Sequence, residues 1–151
     1  MTHRAVAKEA QVPAGSVTYH FTTLDELLVA ALTAAAQAYA QQLQEITDAG
    51  HDEIDGLARL IADAGGPGRK RALAERELTL MAARRPALRP MARHWREMVA
   101  EVARSHTDDA TMIEIAVAAA DGICARVLLD DEPMDIDRIA AVLRRSLGVD
   151  A

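Results

Sequence analysis

The sequence predicts an all-α protein, and three observations support this class. Alanine and leucine supply most of the apolar bulk, because the 151 residues include only one Trp, two Tyr and one Phe, and such a composition favours closely packed helices over sheets. Apolar residues recur at helical spacing in the longer segments. The breaks between segments fall at glycine, proline and capping residues. We therefore expect a short helical head followed by a larger helical-bundle body.

Two short helices open the chain. The first is predicted over Thr2 to Ala10 and the second over Ala14 to His20. Pro13, between them, has no backbone N–H to donate and suits the first turn of a new helix. Three ring-bearing side chains in succession, residues 19–21, end the second helix. This part of the chain is therefore predicted to form two helices joined by a tight turn.

A capping box predicts where the body begins. Within the run Thr23-Leu24-Asp25-Glu26, the Thr23 hydroxyl and the Glu26 carboxylate can each satisfy a free backbone amide of a new helix. Apolar spacing extends that helix to about Asp48. The later helices are predicted over Asp52 to Ala64, Arg69 to Arg85, Ala87 to Arg104, Asp109 to Leu129 and Asp135 to Leu147. They are separated or ended by Gly50, by the GGPG run 65–68, by a loop at 130–133 and by Gly148.

Composition narrows the class of protein further. The single cysteine, Cys124, excludes an intramolecular disulfide and fits a reducing cytoplasm. No apolar run approaches the roughly 20 residues of a membrane span, so we expect a soluble cytoplasmic protein. A net charge of −6 does not favour nucleic-acid binding as a whole, but the charge of the contacting face decides that property. Residues 69–104 hold ten basic and four acidic side chains, which we interpret as a solvated helix face.

The two opening helices have the organisation of a helix-turn-helix. In that motif the N-terminal residues of the second helix reach base edges in the major groove. Small and hydroxylated side chains there permit close approach and hydrogen bonding, while ring-bearing donors at the helix end suit phosphate oxygens. The predicted DNA-binding residues are Pro13, Ala14, Gly15, Ser16, Thr18, Tyr19 and His20. The alternative is a helical corner in which the tyrosine and histidine merely pack.

The run VAKEAQVPAGSVTYHFTTLDELLVAAL, residues 6–32, resembles the DNA-binding head of TetR-family transcriptional regulators. The resemblance rests on Val6-Ala7, on Gly15, and on residues 19–21 and 25–28, in order and spacing. The stretch ERELTLMAARRPALRPMARHW, residues 75–95, is also similar to the body of many such regulators.

The sequence departs from the family pattern at several positions. The family usually has Gly where Gln11 stands, often Tyr where Thr18 stands, and often Lys where Leu24 stands. Such heads also carry about one further helix upstream. We therefore expect residues 1–23 to form a partial helix-turn-helix head.

The resemblance implies a ligand-responsive DNA-binding transcriptional regulator, a repressor that acts as a homodimer. Residues 24–151 would then form the ligand-binding and dimerisation domain. The implied partners are operator DNA, a small-molecule effector of unknown identity and a second copy of the chain, with no cofactor and no metal. An effector in the body would shift the long helix from Thr23 and spread the two heads. The alternative is a helical ligand-sensing or partner-binding module that does not bind DNA.

Two sets of body residues are candidates for binding. Adaptable Met side chains and the polar tips of Trp and His suit a ligand cavity. The predicted cavity residues are Met81, Met91, His94, Trp95, Met98 and Met112. The last two helices are predicted to pair with a second copy, because the first of them is apolar on more than one side. The predicted interface residues are Ile113, Val117, Ile123, Val127, Ile139 and Leu143. Ordinary core is the alternative for both sets.

An enzyme on a helical bundle is the remaining alternative, and the sequence gives it little support. Cys124 lies in an apolar helical run, where a small core residue is expected rather than a nucleophile. Metal-ligand types occur at residues 51–53 and 106–109, but adjacent helical positions point in different directions. We therefore predict no catalytic residues.

Overall fold

The computed structural model describes residues 2–50, 52–130 and 134–149, and all regular structure in these ranges is helical. The helices are α1 (His3–Glu9), α2 (Ala14–His20), α3 (Leu24–Asp48), α4 (Glu53–Asp63), α5 (Arg69–Met81), a 3₁₀ turn (Pro86–Leu88), α6 (Arg89–Ala92), α7 (His94–Arg104), α8 (Ala110–Leu129) and α9 (Ile136–Ser146). The all-α prediction is confirmed. His51 and residues 131–133 of the predicted loop lie outside the described residues. No helix in the described ranges is both long and apolar enough to cross a membrane.

The capping box that predicted the start of α3 is present. The Thr23 hydroxyl oxygen accepts a hydrogen bond from the Glu26 amide at 3.2 Å. The Glu26 carboxylate accepts in return from the amides of Thr22 at 2.7 Å and Thr23 at 3.3 Å. These bonds satisfy amides at the helix N-terminus that have no partner within the helix. They fix the direction in which α3 leaves the head.

The other helix ends also follow local sequence. Side chains of Asp52, Asp109 and Asp135 accept hydrogen bonds from the first-turn amides of α4, α8 and α9. Gly50 (φ 86°) and Gly148 (φ 67°) follow α3 and α9 in the left-handed region, where glycine has no steric penalty. Local chemistry therefore sets most boundaries within a residue or two of the prediction.

The region around the two prolines differs from the prediction. The fifth helix ends at Met81 rather than at Arg85, and the helix predicted from Ala87 to Arg104 is divided into the 3₁₀ turn, α6 and α7. A residue before proline is disfavoured in helical geometry, and Arg85, before Pro86, is extended at φ −124° and ψ 94°. The resulting corner packs across the first half of α3.

Buried side chains form three clusters. The body core lies between α4, α7, α8 and α9, with α5 at its edge. The hinge core joins the first half of α3 to the α5–α6 corner and consists of Leu28, Leu32, Leu78, Ala82 and Leu88. The head core consists of Ala7, Val17 and Leu27. Leu24 contacts both the head core and the hinge core, so one continuous helix, α3, connects the head to the body.

Two arginines tie the body helices together. Arg144 on α9 donates to Asp52 at 2.5 Å and to Asp55 at 2.8 Å, across to the start of α4. Arg69, at the start of α5, donates to two last-turn carbonyls of α8 at 3.1 and 2.8 Å. Because the C-terminal end of a helix carries partial negative charge, the Arg69 cation stabilises the end of α8.

Candidate DNA-binding head and ligand cavity

The predicted DNA-contact residues lie on one open surface of the head. Pro13, Ala14, Gly15, Ser16, Thr18, Tyr19 and His20 are all exposed. The opposite side of α2 is anchored by Val17 in the head core. A Cβ added at Gly15 would meet nothing within 4 Å. The N-terminal turn of α2 is therefore unobstructed, and its contact with DNA stays a prediction.

The end of α2 has local contacts of its own. The Thr18 hydroxyl donates back to the carbonyls of Gly15 at 3.1 Å and Ala14 at 3.3 Å, so it has lone pairs rather than a proton to offer a partner. Tyr19 is 85% exposed, and its ring meets the His20 ring edge-on at 5.3 Å. These two rings support each other at the surface without being buried.

The turn between α1 and α2 requires an unusual backbone conformation. Gln11 has φ 55° and is the one non-glycine residue with positive φ among the described residues. A side chain in this region costs roughly 1 kcal/mol or more. The neighbouring Val12 amide donates to the Ala7 carbonyl at 3.0 Å and closes the turn. Gln11 thus adopts a left-handed conformation at the position where the family usually has glycine.

A cavity of about 390 Å³ opens in the body. Its walls come from α3, α4, α5, α8 and the α6–α7 segment. A second cavity of about 50 Å³ adjoins it. Both are lined by Tyr39, Glu75, Thr79, Ala92 and Trp95. The larger volume is in the range of pockets that hold small organic molecules.

Four of the predicted cavity residues line this region. Trp95 lines both cavities, and Met91, His94 and Met98 line the smaller one. Trp95 also packs against the body core. Its side chain therefore lies between the body core and the two cavities.

The other two predicted cavity residues lie elsewhere. Met81 packs against the hinge core and lines neither cavity. Met112 lies near the start of α8, where its sulfur accepts from the Thr107 hydroxyl at 3.9 Å. The sequence shows only that these residues are apolar. Whether an apolar side chain faces the cavity depends on how the neighbouring helices pack.

Apart from Trp95, sequence reasoning missed the polar and aromatic side chains that line the larger cavity. They are Tyr39, Glu75, Arg76, Asp121 and Cys124, among others. Burial, together with the nearby Asp121 charge, raises the pKa of the Cys124 thiol to about 12, so the thiol is protonated at neutral pH. No metal-binding group of His, Cys, Asp and Glu side chains occurs within the described ranges.

One wall of the cavity combines an acid with two aromatic rings. The Tyr39 and Trp95 ring centroids lie 5.6 Å apart. Burial is the main reason that the pKa of Glu75 is raised above its usual value. The Oε1 atom of Glu75 is buried and has no hydrogen-bond partner in the part of the chain that the structure describes. Arg71 is nearby, with its guanidinium 4.8 Å from the Tyr39 ring centroid and its Nε 3.6 Å from Glu75 Oε1. We call these four residues the aromatic–acid corner.

The opposite side of the cavity is basic. Asp121 accepts from Arg76 at 2.6 Å and from Arg96 at 3.4 Å. Arg89 and Arg93 line the same opening, and both are exposed.

An ion pair links this region to the head. Arg85, after α5, pairs with Asp25 in the first turn of α3. Arg89, which lines the cavity, reaches back to the carbonyls of Ala82 at 3.4 Å and Ala83 at 3.5 Å. The segment between the cavity and Asp25 is therefore short and held at several points.

The predicted dimer-interface residues need correction. Val127, Ile139 and Leu143 are 2%, 0% and 2% exposed, so they fill the chain's own core and have no surface to offer a second copy. Ile113, Val117 and Ile123 are half-buried against that core. The exposed large apolar side chains of the last two helices are Ile115, Leu129 and Val142, at 50%, 82% and 40%. The prediction is therefore withdrawn for the three buried residues, and for Ile113, Val117 and Ile123 it stays a prediction.

Comparisons with known proteins identify the family. Residues 48–149 match the model of the tetracyclin repressor-like C-terminal domain. A member of the TetR family from Streptomyces coelicolor A3 is 44% identical, with a TM-score of 0.81, over 97% of this chain and 86% of its own. The multidrug-binding protein EbrR in complex with malachite green is also 44% identical, with a TM-score of 0.78, over 97% and 86% of the two chains. EbrR has been solved with imidazole, ethidium and proflavin as well.

No functionally curated protein matches this chain. The family match covers well over half of the chain, and the structural matches extend it through the two-helix head. The chain therefore belongs to the TetR family of transcriptional regulators.

Proposed function

We propose that this chain is a ligand-responsive repressor that binds operator DNA as a homodimer and releases it when an effector enters the cavity. The observation that carries the proposal is the course of α3. Its first turn contacts the head core through Leu24 and Leu27, and Tyr39 on the same helix lines the cavity. Fifteen residues of helix span about 22 Å, so one rigid element connects the two candidate sites.

DNA binding is supported by the surface of α2. A recognition helix needs small and polar side chains at its N-terminal turn and free space around them, and residues 13–16 are exposed. Arg4 and Lys8 are exposed basic residues on the neighbouring α1. The net charge of the head is low, so phosphate contacts must be few or supplemented by backbone amides at the helix N-terminus.

The ligand response is supported by the contacts of the α5–α6 corner. An effector in the cavity touches α5 and Arg89, and the same corner pairs with Asp25 beside the head. Coupling requires that the effector bind more tightly to the conformation that does not fit the operator. A shift of the corner transmitted through Arg85 and the hinge core would tilt the first turn of α3.

The effector is proposed to be a flat aromatic compound. Tyr39 and Trp95 both line the cavity, with their ring centroids 5.6 Å apart, and aromatic groups stack favourably on such rings. The dyes bound by EbrR, at 44% identity to this chain, are aromatic compounds of a size that suits a pocket of this volume.

Dimerisation is proposed through the outer faces of α8 and α9. Ile115 and Val142 are exposed on these helices, and large apolar side chains on a surface indicate a contact with another molecule when they form a patch. A two-fold pair would place two recognition helices for half-sites about one DNA turn apart. We expect Ile115→Glu to convert dimers to monomers in sedimentation velocity. Leu73→Glu, at a 47% exposed position on α5, serves as the control.

DNA binding is tested with a fragment from upstream of the chain's own coding region, by fluorescence anisotropy at two salt concentrations. The Gly15→Asp variant places a negative charge on the open face of α2, where no protein atom is displaced. Thr111→Asp introduces the same charge in the first turn of α8 and controls for folding. We expect affinity that falls steeply with salt, is lost in Gly15→Asp and persists in Thr111→Asp.

Absence of specific binding at low salt would instead favour a ligand-sensing module that does not bind DNA. Equal loss in both variants would show that the added charge acts through the whole molecule rather than through α2.

A further inference from the structure

We propose that the aromatic–acid corner is a cation site, where a bound aromatic cation takes Glu75 as its counter-ion in competition with the chain's own Arg71. The inference deepens the proposed ligand function and rests on it. To the proposed function it adds that the effector is a cation, that Glu75 recognises this charge, and that Arg71 limits the affinity.

The corner already holds a flat cation. The Arg71 guanidinium lies 4.8 Å from the Tyr39 ring centroid, the arrangement in which a cation is attracted by the face of an aromatic ring. Its Nε is 3.6 Å from Glu75 Oε1, which is longer than a hydrogen bond. The arginine thus supplies charge without satisfying the carboxylate.

Glu75 is the acid that a ligand in the cavity can reach. It lines both cavities together with Tyr39 and Trp95, and its side chain is 17% exposed. Its buried Oε1 has no hydrogen-bond partner among the described residues. Tyr39 and Arg71 both act on this carboxyl group, but they leave Oε1 free to accept. A cation that approaches Oε1 from the cavity side therefore gains an electrostatic contact that burial strengthens.

The basic residues at the opening do not reverse this preference. Arg76 and Arg96 share Asp121, which offsets part of their charge. Arg89 and Arg93 are exposed to solvent, where water and salt screen them over short distances. Glu75 is screened less, because it is buried, so its charge acts more strongly on a ligand beside the two rings than the charges of these exposed arginines do.

Arg71 has the opposite effect on ligand and carboxylate. Its charge stabilises the ionised form of Glu75 but repels a second cation at the same rings. Because burial raises the pKa of Glu75, the experiment is done at pH 8, above the ordinary glutamate range, where removal of Arg71 acts mainly by removing the repulsion. The Tyr39 phenol stays protonated because burial, followed by the nearby Glu75, raises its pKa. The remaining side chains that line the smaller cavity add one further titratable group, His94.

The test is fluorescence titration of the full chain at pH 8 with ethidium, a permanent aromatic cation, and with fluorescein, an aromatic anion. The variants are Glu75→Gln, Arg71→Ala and Arg71→Lys. Glu77→Gln is the matched control, because Glu77 lies two residues away on the same helix, is exposed and lines neither cavity. Thermal unfolding of each variant confirms that it is folded.

We expect Glu75→Gln to weaken ethidium binding by about tenfold or more, as for the loss of an opposite charge within a few ångströms. Arg71→Ala should tighten ethidium binding by about threefold to tenfold, and Arg71→Lys and Glu77→Gln should leave it within about twofold. Fluorescein should bind more weakly than ethidium and respond to Glu75→Gln in the opposite direction.

Tight ethidium binding that is unchanged in Glu75→Gln would overturn the inference and leave the proposed function in place. Weaker binding in Arg71→Ala would also overturn it, since Arg71 would then hold the corner together rather than compete. Failure of the wild-type chain to bind either dye would overturn the proposed ligand function and the inference with it.

Discussion

The ion pair between Arg85 and Asp25 gives the sharpest test of how the cavity communicates with the head. It joins the corner after α5 to the first turn of α3. We predict that removing it lowers the effect of a ligand on DNA affinity while leaving ligand affinity itself nearly unchanged. The proposed variants are Arg85→Gln, Asp25→Asn and the double variant, so that a double-mutant cycle isolates the pairwise term.

The expected magnitude follows from exposure. The two side chains are 36% and 40% exposed, so the pair is largely solvated and is worth roughly 0.5–1 kcal/mol. That range corresponds to a factor of about two to five in an equilibrium constant. Asp25 also interacts with the N-terminus of α3, which adds a few tenths of a kcal/mol to its single substitution. The cycle removes this second contribution.

The assays are urea unfolding, for stability, and DNA titration with and without dye, for coupling. Arg104 and Glu97 form a control pair at 2.7 Å, with 49% and 59% exposure, within α7. A coupling energy of zero between Arg85 and Asp25 in the DNA assay would refute the reasoning. An equal effect in the control pair would show that any surface ion pair produces the same change.

Three further predictions concern the hinge core and the cavity. Leu88 is fully buried, so Leu88→Ala should lower the free energy of unfolding by about 2–5 kcal/mol, whereas Leu80→Ala, at a 66% exposed position, should change it by less than about 0.5 kcal/mol in the same urea titration. Burial raises the pKa of Glu75, and cation binding favours its ionised form. Ethidium affinity should therefore fall as pH is lowered toward the ordinary glutamate pKa, and calorimetry in two buffers should show proton release that Glu75→Gln abolishes. Cys124 lines the cavity and its pKa is about 12; its alkylation by iodoacetamide should be slow at pH 7 and slower when dye is bound, and equal rates with and without dye would place the ligand elsewhere.

The helix boundaries were the part of the fold most open to prediction, because they depend on neighbouring residues alone. Thr23 with Glu26, Asp109, and the glycines that follow α3 and α9 each act within one turn of backbone. The exception was the segment around Pro86. There the residue before proline is disfavoured in a helix. The prediction did not apply this rule to Arg85 and made the fifth helix too long.

The site was less predictable, because its residues converge from helices that are distant in sequence. Tyr39 and Trp95 meet only after α3 packs against α7, and no periodicity in either helix indicates the contact. Nothing in the sequence around Glu75 indicates that its carboxylate is buried, and this burial is what distinguishes it from the other acidic residue of α5. The same reason explains why Val127 and Leu143 were predicted at an interface, since apolar spacing identifies a buried face without showing what covers it.

The central claim is that a ligand in the cavity controls DNA binding by the head. The most direct measurement is fluorescence anisotropy of the upstream DNA fragment, titrated with malachite green in the presence of the wild-type chain or of Glu75→Gln. The account predicts that dye releases DNA from the wild-type chain at concentrations about tenfold lower than from the variant, while both bind DNA equally without dye. Release at the same dye concentration from both chains would contradict only the role assigned to Glu75, whereas a wild-type chain that keeps its DNA at saturating dye would contradict the account.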